Sequence, residues 1–178
     1  MGMSAFDAAF NHSLGNEGGF TDNPDDRGNW DTGIIGQGNL KGTKFGISAM
    51  SYPFLDIKNL TVDKAKKIYF RDWWQAYNYD RLTSDKIAIK LFDQAINMGA
   101  KTAHKLLQRA CRACGNYTKD DGLLGPATIK AANDSDPDQL LAAMRSEAAG
   151  LYRLFIYARK TNAKFKKGWL RRAYDDRR

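Results

Sequence analysis

Ten of the sixteen glycines in this 178-residue chain fall at or before Gly46. Inside a helix a glycine costs about 1 kcal/mol against alanine, so the stretch from Gly15 to Gly46 is a poor place for long regular helices. It reads as loop, with Thr32–Gln37 and Thr43–Ile47 predicted as the arms of a glycine-rich hairpin. On either side of it the apolar residues recur at helical spacing. Ser4 starts a first helix with Phe6, Phe10 and Leu14 on one face, ending near Gly15. Thr61 caps a second, burying Val62, Ala65, Ile68, Tyr69 and Trp73. Ser84 caps a third, with Ile87, Leu91, Phe92, Ala95 and Ile96 inward and Gly99 at its end. A fourth starts near Thr102, a short fifth at Pro126, and a long sixth at Asp136-Pro137. The predicted class is all-α, with one small Gly-rich loop or hairpin lobe.

A hydrophobic fraction of 43% with 12% aromatics is that of a globular chain and excludes disorder as the default. The net charge of +8 is local. From Arg159 to Arg178 there are nine Lys/Arg and two Asp, so residues 1–158 carry only +1. Such a patch suits an anionic partner. One reading is electrostatic attachment to an anionic wall or outer-membrane surface; the other is a solvated basic tail packed by Phe165, Trp169 and Tyr174. No run of 18 apolar residues calls for a transmembrane helix, and Met1 to Leu14 lacks the pattern of a cleaved signal.

Cys111 and Cys114 are the only cysteines, His12 and His104 the only histidines. That set is too small for a structural zinc site, so two buried thiols are expected, and no metal or cofactor. His104 reads as a surface or helix-packing residue.

Glu17 follows the end of the first helix, where the helix dipole disfavours a carboxylate and so favours its protonated form. A general acid needs that property. Gly18 and Gly19 leave the backbone open to a bulky polymer. By itself Glu-Gly-Gly is also a common turn sequence. A glycosidase needs a second group to position water or stabilise the transition state, and Asp22, Asp25 and Asp26 are candidates on a loop that Pro24 stiffens. These are turn-forming residues too.

The motifs are more specific together. Glu17-Gly18-Gly19-Phe20, Asn23-Pro24-Asp25-Asp26 and Gly42-Thr43-Lys44-Phe45-Gly46-Ile47-Ser48 resemble the signature of glycoside hydrolase family 108, phage and prophage-type N-acetylmuramidases of lysozyme-like helical fold. Three later segments, Leu91 to Gly99, Leu106 to Ala110 and Asp121 to Thr128, resemble the family's C-terminal peptidoglycan-binding part, as does Phe165 to Arg172. The chain departs from the family between Asp26 and Thr43, where Arg27 to Gly42 is longer than usual.

The resemblance implies a muramidase region over 1–90 and a helical peptidoglycan-binding region over 91–178, packed as one compact unit. It implies that Glu17 protonates the glycosidic oxygen between N-acetylmuramic acid and N-acetylglucosamine. As in phage-type lysozymes, Asp26 and Thr43 would hold a water on the opposite face of the sugar, favouring inversion. Peptidoglycan is the implied partner, nucleic acid is not, and a monomer made in a host cytoplasm before lysis is expected. For substrate contacts Trp74 and Asn97 are candidates; core burial and helix capping compete as readings. A lytic transglycosylase and a non-catalytic wall-binding protein remain the alternatives.

Overall fold

The computed structural model describes residues 2–14 and 19–175. Among them are seven α-helices: α1 (Gly2–Leu14), α2 (Val62–Tyr69), α3 (Asp85–Met98), α4 (Ala100–Ala113), α5 (Pro126–Asp134), α6 (Pro137–Ala158) and α7 (Lys166–Tyr174). The only sheet described pairs β1 (Thr43–Lys44) with β2 (Ile47–Ser48). The predominantly helical class holds. No helix among the described residues is long and apolar enough to cross a membrane. The chain falls into two compact units, one of Phe10–Ala76 and one of the residues up to Ala9 with everything from Tyr77 on.

In the larger unit, α3 buries Ile87, Ala88, Leu91, Phe92 and Ala95, while Ile96 is only half-buried. Phe6 of α1 meets Phe92 edge-on at 5.9 Å. Gly99 ends α3 and starts α4 at once: its N–H donates to Ala95 and its carbonyl accepts from Ala103. Helix α4 therefore begins at Ala100, two residues before the expected start. Asp136 caps α6, accepting from Asp138 N and Gln139 N, with Pro137 in the first turn.

Two stretches of the C-terminal motifs turn out to be one buried network. Gln108 Nε2 donates to the Asp121 carboxylate, the Leu123 carbonyl and the Thr128 hydroxyl, and its Oε1 accepts from Gly122 N at 2.8 Å. Gln108 is 1% exposed, and its bonds to Thr128 and Gly122 are buried, where leaving them unmade is costly. The Asp121–Thr128 loop is thereby pinned to α4.

His104 joins the same network and is buried, not a surface residue. Its Nδ1 lies 3.2 Å from the Gly122 carbonyl and its Nε2 2.9 Å from the Tyr79 hydroxyl. In the neutral ring Nδ1–H donates to Gly122 and Nε2 accepts from Tyr79. Burial holds its pKa below the ordinary histidine value, opposed only in part by the Gly122 bond. Because the folded pKa is depressed, this contribution to stability is complete above the unfolded pKa, near 6.5, and is lost as pH falls through the folded value. The midpoint of thermal unfolding should therefore drop more steeply below about pH 6.5 in the native protein than in His104→Gln. Parallel slopes would disprove the coupling.

The described part of the C-terminus, up to Asp175, is folded, with Lys164, Lys166, Lys167 and Arg171 still exposed. A 3-10 segment, Lys160–Phe165, leads into α7, which packs along α6. Trp169 stacks on Tyr152 (5.5 Å) and on Phe165 (5.4 Å), with Phe155 at its edge. Arg172 Nε reaches the buried Asp93 carboxylate at 3.3 Å, and Lys90 Nζ donates to the Arg172 carbonyl. The expected basic tail forms a helix because its aromatics have a surface to bury against.

In the smaller unit, α2 runs on into a π-helical segment, Phe70–Gln75. Thr61 caps α2, its hydroxyl accepting from Lys64 N. Ala65 and Tyr69 are buried as expected; Val62 is half-exposed, and Ile68 and Trp73 are intermediate. Phe10 meets Tyr69 at 6.0 Å.

The predicted hairpin is misplaced. Thr32–Gln37 is a run of turns and bends, and the true partner of β1 is Ile47–Ser48, with Thr43 opposite Ser48 and Lys44 opposite Ile47. Local hydrogen bonds take the Thr32 segment out of competition: Thr32 Oγ1 donates to the Gln37 carbonyl, and the Asp31 carboxylate accepts from Asn39 N and Nδ2.

Candidate active site

Glu17 lies outside the described residues, as do Gly15, Asn16 and Gly18. The chain on either side of them is described. Before them, the Leu14 side chain sits beside Gly46, where an added Cβ would be 3.6 Å from Leu14 Cδ2. After them, Thr21 and Thr43 exchange two backbone hydrogen bonds, of 2.9 and 2.8 Å. Both anchor points belong to one hairpin region.

That hairpin accounts for its motif residue by residue. Phe45 and Gly46, at the turn, both have positive φ (52° and 72°), as a type I′ turn demands. For Phe45 this costs roughly 1–2 kcal/mol, and the Tyr69 hydroxyl supports it by donating to the Phe45 carbonyl at 3.0 Å. Lys44 Nζ donates to the Lys58 carbonyl, and Ile47 is 2% exposed. Gly42, at φ +83°, admits no side chain, since a Cβ there would stand 2.5 Å from the Thr21 carbonyl and 2.6 Å from the Phe20 ring.

Asp26 sits on the turn that leads into the long loop. Its Oδ1 accepts from Gly28 N at 2.8 Å and caps the 3-10 turn Arg27–Asn29. The fully buried Asn29 then accepts at its carbonyl from both Lys41 N and Gly42 N, and the Gly28 carbonyl accepts from Met50 N. The extra length is thus pinched off at its base, above a Trp30–Leu40 bridge, and the chain returns to Thr43 directly. A Cβ on Gly28 would touch both Asp26 Oδ1 (3.2 Å) and Ser48 Cβ (3.8 Å). Asp26 therefore adjoins the strand that pairs with Thr43. Among the described residues neither Asp26 Oδ2 nor the Thr43 hydroxyl makes a hydrogen bond, which leaves both able to hold a water molecule. Asp22 and Asp25 are exposed on the preceding turn.

Beside this framework runs an open groove of about 440 Å³, lined by Phe20, Asp22, Leu40, Lys41, Phe54 and Asp56 among others. Lys41 is held by Asp31 and by the Pro53 carbonyl. Asp56 is held ionised by the side chain and then the backbone N–H of Asn59, which lower its pKa. Apolar and charged side chains lining one open groove suit a chain of sugars bearing hydroxyl and carboxyl groups. The contribution of Leu40, Phe54 and Asn29 was not read from the sequence. Its available signal was an aromatic in a proline-containing loop, off any helical period.

The two expected contact residues differ in exposure, Trp74 being buried and Asn97 exposed. Trp74 is 1% exposed, so its indole presents no face for a sugar to stack on. Asn97 belongs to the larger unit, and its Nδ2 donates back along α3 to the Asp93 carbonyl and carboxylate. Of the two thiols, Cys111 is buried and pushed up to about 12 by that burial, whereas Cys114 is only half-buried. Among the described residues, no three His, Cys, Asp or Glu are grouped to hold a metal.

Comparison with known proteins assigns the chain in two successive parts. The family model described as Glycosyl hydrolase 108 matches residues 3–99, and that described as Predicted Peptidoglycan domain matches residues 102–174. No curated protein matches the chain in sequence. A solved structure, described as that of Brucella abortus SagA, is similar in fold with a TM-score of 0.70. It is 24% identical, and the match covers 96% of this chain and 90% of that one. The junction between the two family models falls where Gly99 joins α3 to α4. With one model spanning more than half of its residues, this chain belongs to the glycosyl hydrolase 108 family and carries a peptidoglycan domain after the hydrolase part.

Proposed function

We propose that this peptidoglycan hydrolase is an N-acetylmuramidase of the endolysin type, cutting the β-1,4 bond between N-acetylmuramic acid and N-acetylglucosamine. Glu17 donates its proton to the glycosidic oxygen as the bond from C1 breaks. Asp26 and Thr43 orient a water on the opposite face, and Asp26 takes its proton as the new bond to C1 forms. The product is inverted at C1. The observation that carries this reading is the anchoring of both flanks of Glu17, at Leu14 and Thr21, on the hairpin that bears Thr43. The capped Asp26 turn adjoins the same hairpin. The enzyme would act as a monomer, made in a host cytoplasm and working on the wall in the periplasm, with no part for nucleic acid.

Mass spectrometry of digested peptidoglycan tests the chemistry. Reducing muramic acid ends, released as the α-anomer, are expected. Anhydro ends would mean a transglycosylase, and no released fragments a binding protein. Asp26→Asn should lower the rate by about a hundredfold, within the range for a lost general base. Thr43→Ala should lower it by about tenfold, the worth of one hydrogen bond to the water. Native rates in both variants would move the second role to Asp22 or Asp25.

A further inference from the structure

The open groove of the smaller unit has a lining that sugar rings alone do not explain. Four of its side chains are charged, two of each sign: Asp22, Asp56, Lys41 and Lys58. Lys41 is the fixed cation. Its Nζ lies 3.3 Å from the Asp31 carboxylate and donates to the Pro53 carbonyl. An ammonium has three N–H bonds, so one is left without a partner among the described residues. Asp56 is the fixed anion, accepting from Asn59 N and Nδ2. Leu40 beside Lys41 is 39% exposed, and Phe54 beside Pro53 is 100% exposed. The Lys41–Pro53 bond therefore ties together the two loops that carry these apolar side chains.

The groove also abuts the Thr21–Thr43 pairing. Phe20 precedes Thr21, and its ring lies against Gly42, where an added Cβ would be 2.6 Å from Cε2. Lys41 precedes Gly42 on the approach to Thr43. In the polymer, the reacting C1 belongs to N-acetylmuramic acid, and the C3 lactyl group of that same ring carries the peptide stem. A stem therefore leaves the glycan beside the reacting centre. The glycan itself is uncharged, since the lactyl carboxyl is taken up in the amide bond to the stem. The stem bears free carboxylates and, where its diamino acid is not cross-linked, an ammonium. A lining with both signs of charge complements that zwitterion. A polyanion would face two carboxylates, and bare glycan would leave all four charges without a counterpart.

We propose that this groove is a subsite for the peptide stem of peptidoglycan. A stem carboxylate takes the remaining N–H of Lys41, and the aliphatic part of the stem lies against Phe54. The proposal rests on the reading that the chain acts at C1 of muramic acid, and it holds whether that bond is hydrolysed or transglycosylated. Its consequence is a preference for peptide-bearing wall over bare glycan.

Two measurements on the full chain test it. The first is an NMR titration with the stem tripeptide L-alanyl-γ-D-glutamyl-meso-diaminopimelate, which needs no turnover. Lys41→Met should weaken binding by about tenfold or more, through loss of a hydrogen bond between charged groups. Phe54→Ala should weaken it by about fivefold, from lost apolar contact. Lys41→Met also releases the Pro53 carbonyl, so melting points check its fold; Phe54 is fully exposed and carries the test by itself if Lys41→Met unfolds. The second compares fragment release from intact wall with release from glycan stripped by an amidase and capped as methylamides at its lactyl groups. The native protein should cut the intact wall about tenfold faster at low substrate, and both variants should bring that ratio towards one. Absence of tripeptide binding, or binding that Phe54→Ala leaves unchanged, overturns the proposal; the second pattern would place the peptide on the peptidoglycan domain. Equal native rates on the two substrates, or a ratio that both variants leave untouched, overturn it as well. Tripeptide binding that Phe54→Ala weakens, with no cleavage of either substrate, would support the subsite and count against the muramidase reading alone.

Discussion

Glu17→Gln should abolish lysis of purified peptidoglycan, with a fall in rate of about a thousandfold or more, while the protein still folds and still binds the wall. Glutamine matches the protonated carboxyl in shape but has no acidic proton to give the departing sugar oxygen. General acid catalysis is worth about 10²–10⁴ in rate, and loss of the only proton donor belongs near the upper end. Wall binding should survive because the peptidoglycan domain, residues 102–174, is a separate part of the chain. Turbidity of a wall suspension reads the first quantity and sedimentation with intact sacculi the second. Clearing by the pure variant at the native rate would end the assignment. Loss of binding together with clearing would show a failure to fold or to engage the wall, not a missing acid.

Gly42→Ala should be as damaging without touching any reacting group. A Cβ there would press on the Thr21 carbonyl at 2.5 Å, which is backbone and cannot swing away. Relief requires parting Thr21 from Thr43, with the loss of two hydrogen bonds at about 1 kcal/mol each, on top of about 1–2 kcal/mol for forcing alanine to positive φ. The expected destabilisation is about 3–4 kcal/mol, with a large loss of activity as Thr43 shifts. Gly36→Ala makes the comparison clean. Gly36 also has positive φ, at +78°, but an added Cβ meets nothing within 4 Å. It should cost only the conformational share, about 1–2 kcal/mol, and leave the rate intact. Equal melting points for the two variants would show that the Thr21 contact does not decide the outcome.

The glycines of the family motif thus have a physical meaning that spacing alone did not supply. Gly42 permits the Thr21–Thr43 pairing, and Gly46 takes the I′ turn with the Tyr69 hydroxyl 2.7 Å from where its Cβ would be. The Gln108 and Asp121–Thr128 segments likewise looked like two separate signatures, yet they are two ends of one buried hydrogen-bond network. Their polar groups are spent on holding a loop to a helix.

What the sequence determined unaided is what depends on near neighbours along the chain. The period of the apolar residues set the helices, Thr61, Asp136 and Pro137 set their starts, and the clustering of glycine set the irregular region. The ordered motifs identified the family. Contacts between distant segments were decided only in three dimensions. The partner of Thr43 is Ser48 because Asp31 and Thr32 satisfy their own loop first. Trp74 is buried, the default for a tryptophan in such a run, although a sugar platform was the competing reading. The basic C-terminus folds because Trp169 finds Tyr152 and Phe165, a surface no local pattern announces. Local propensity is written in single residues and their spacing, whereas burial belongs to pairs that meet only once the chain has closed on itself.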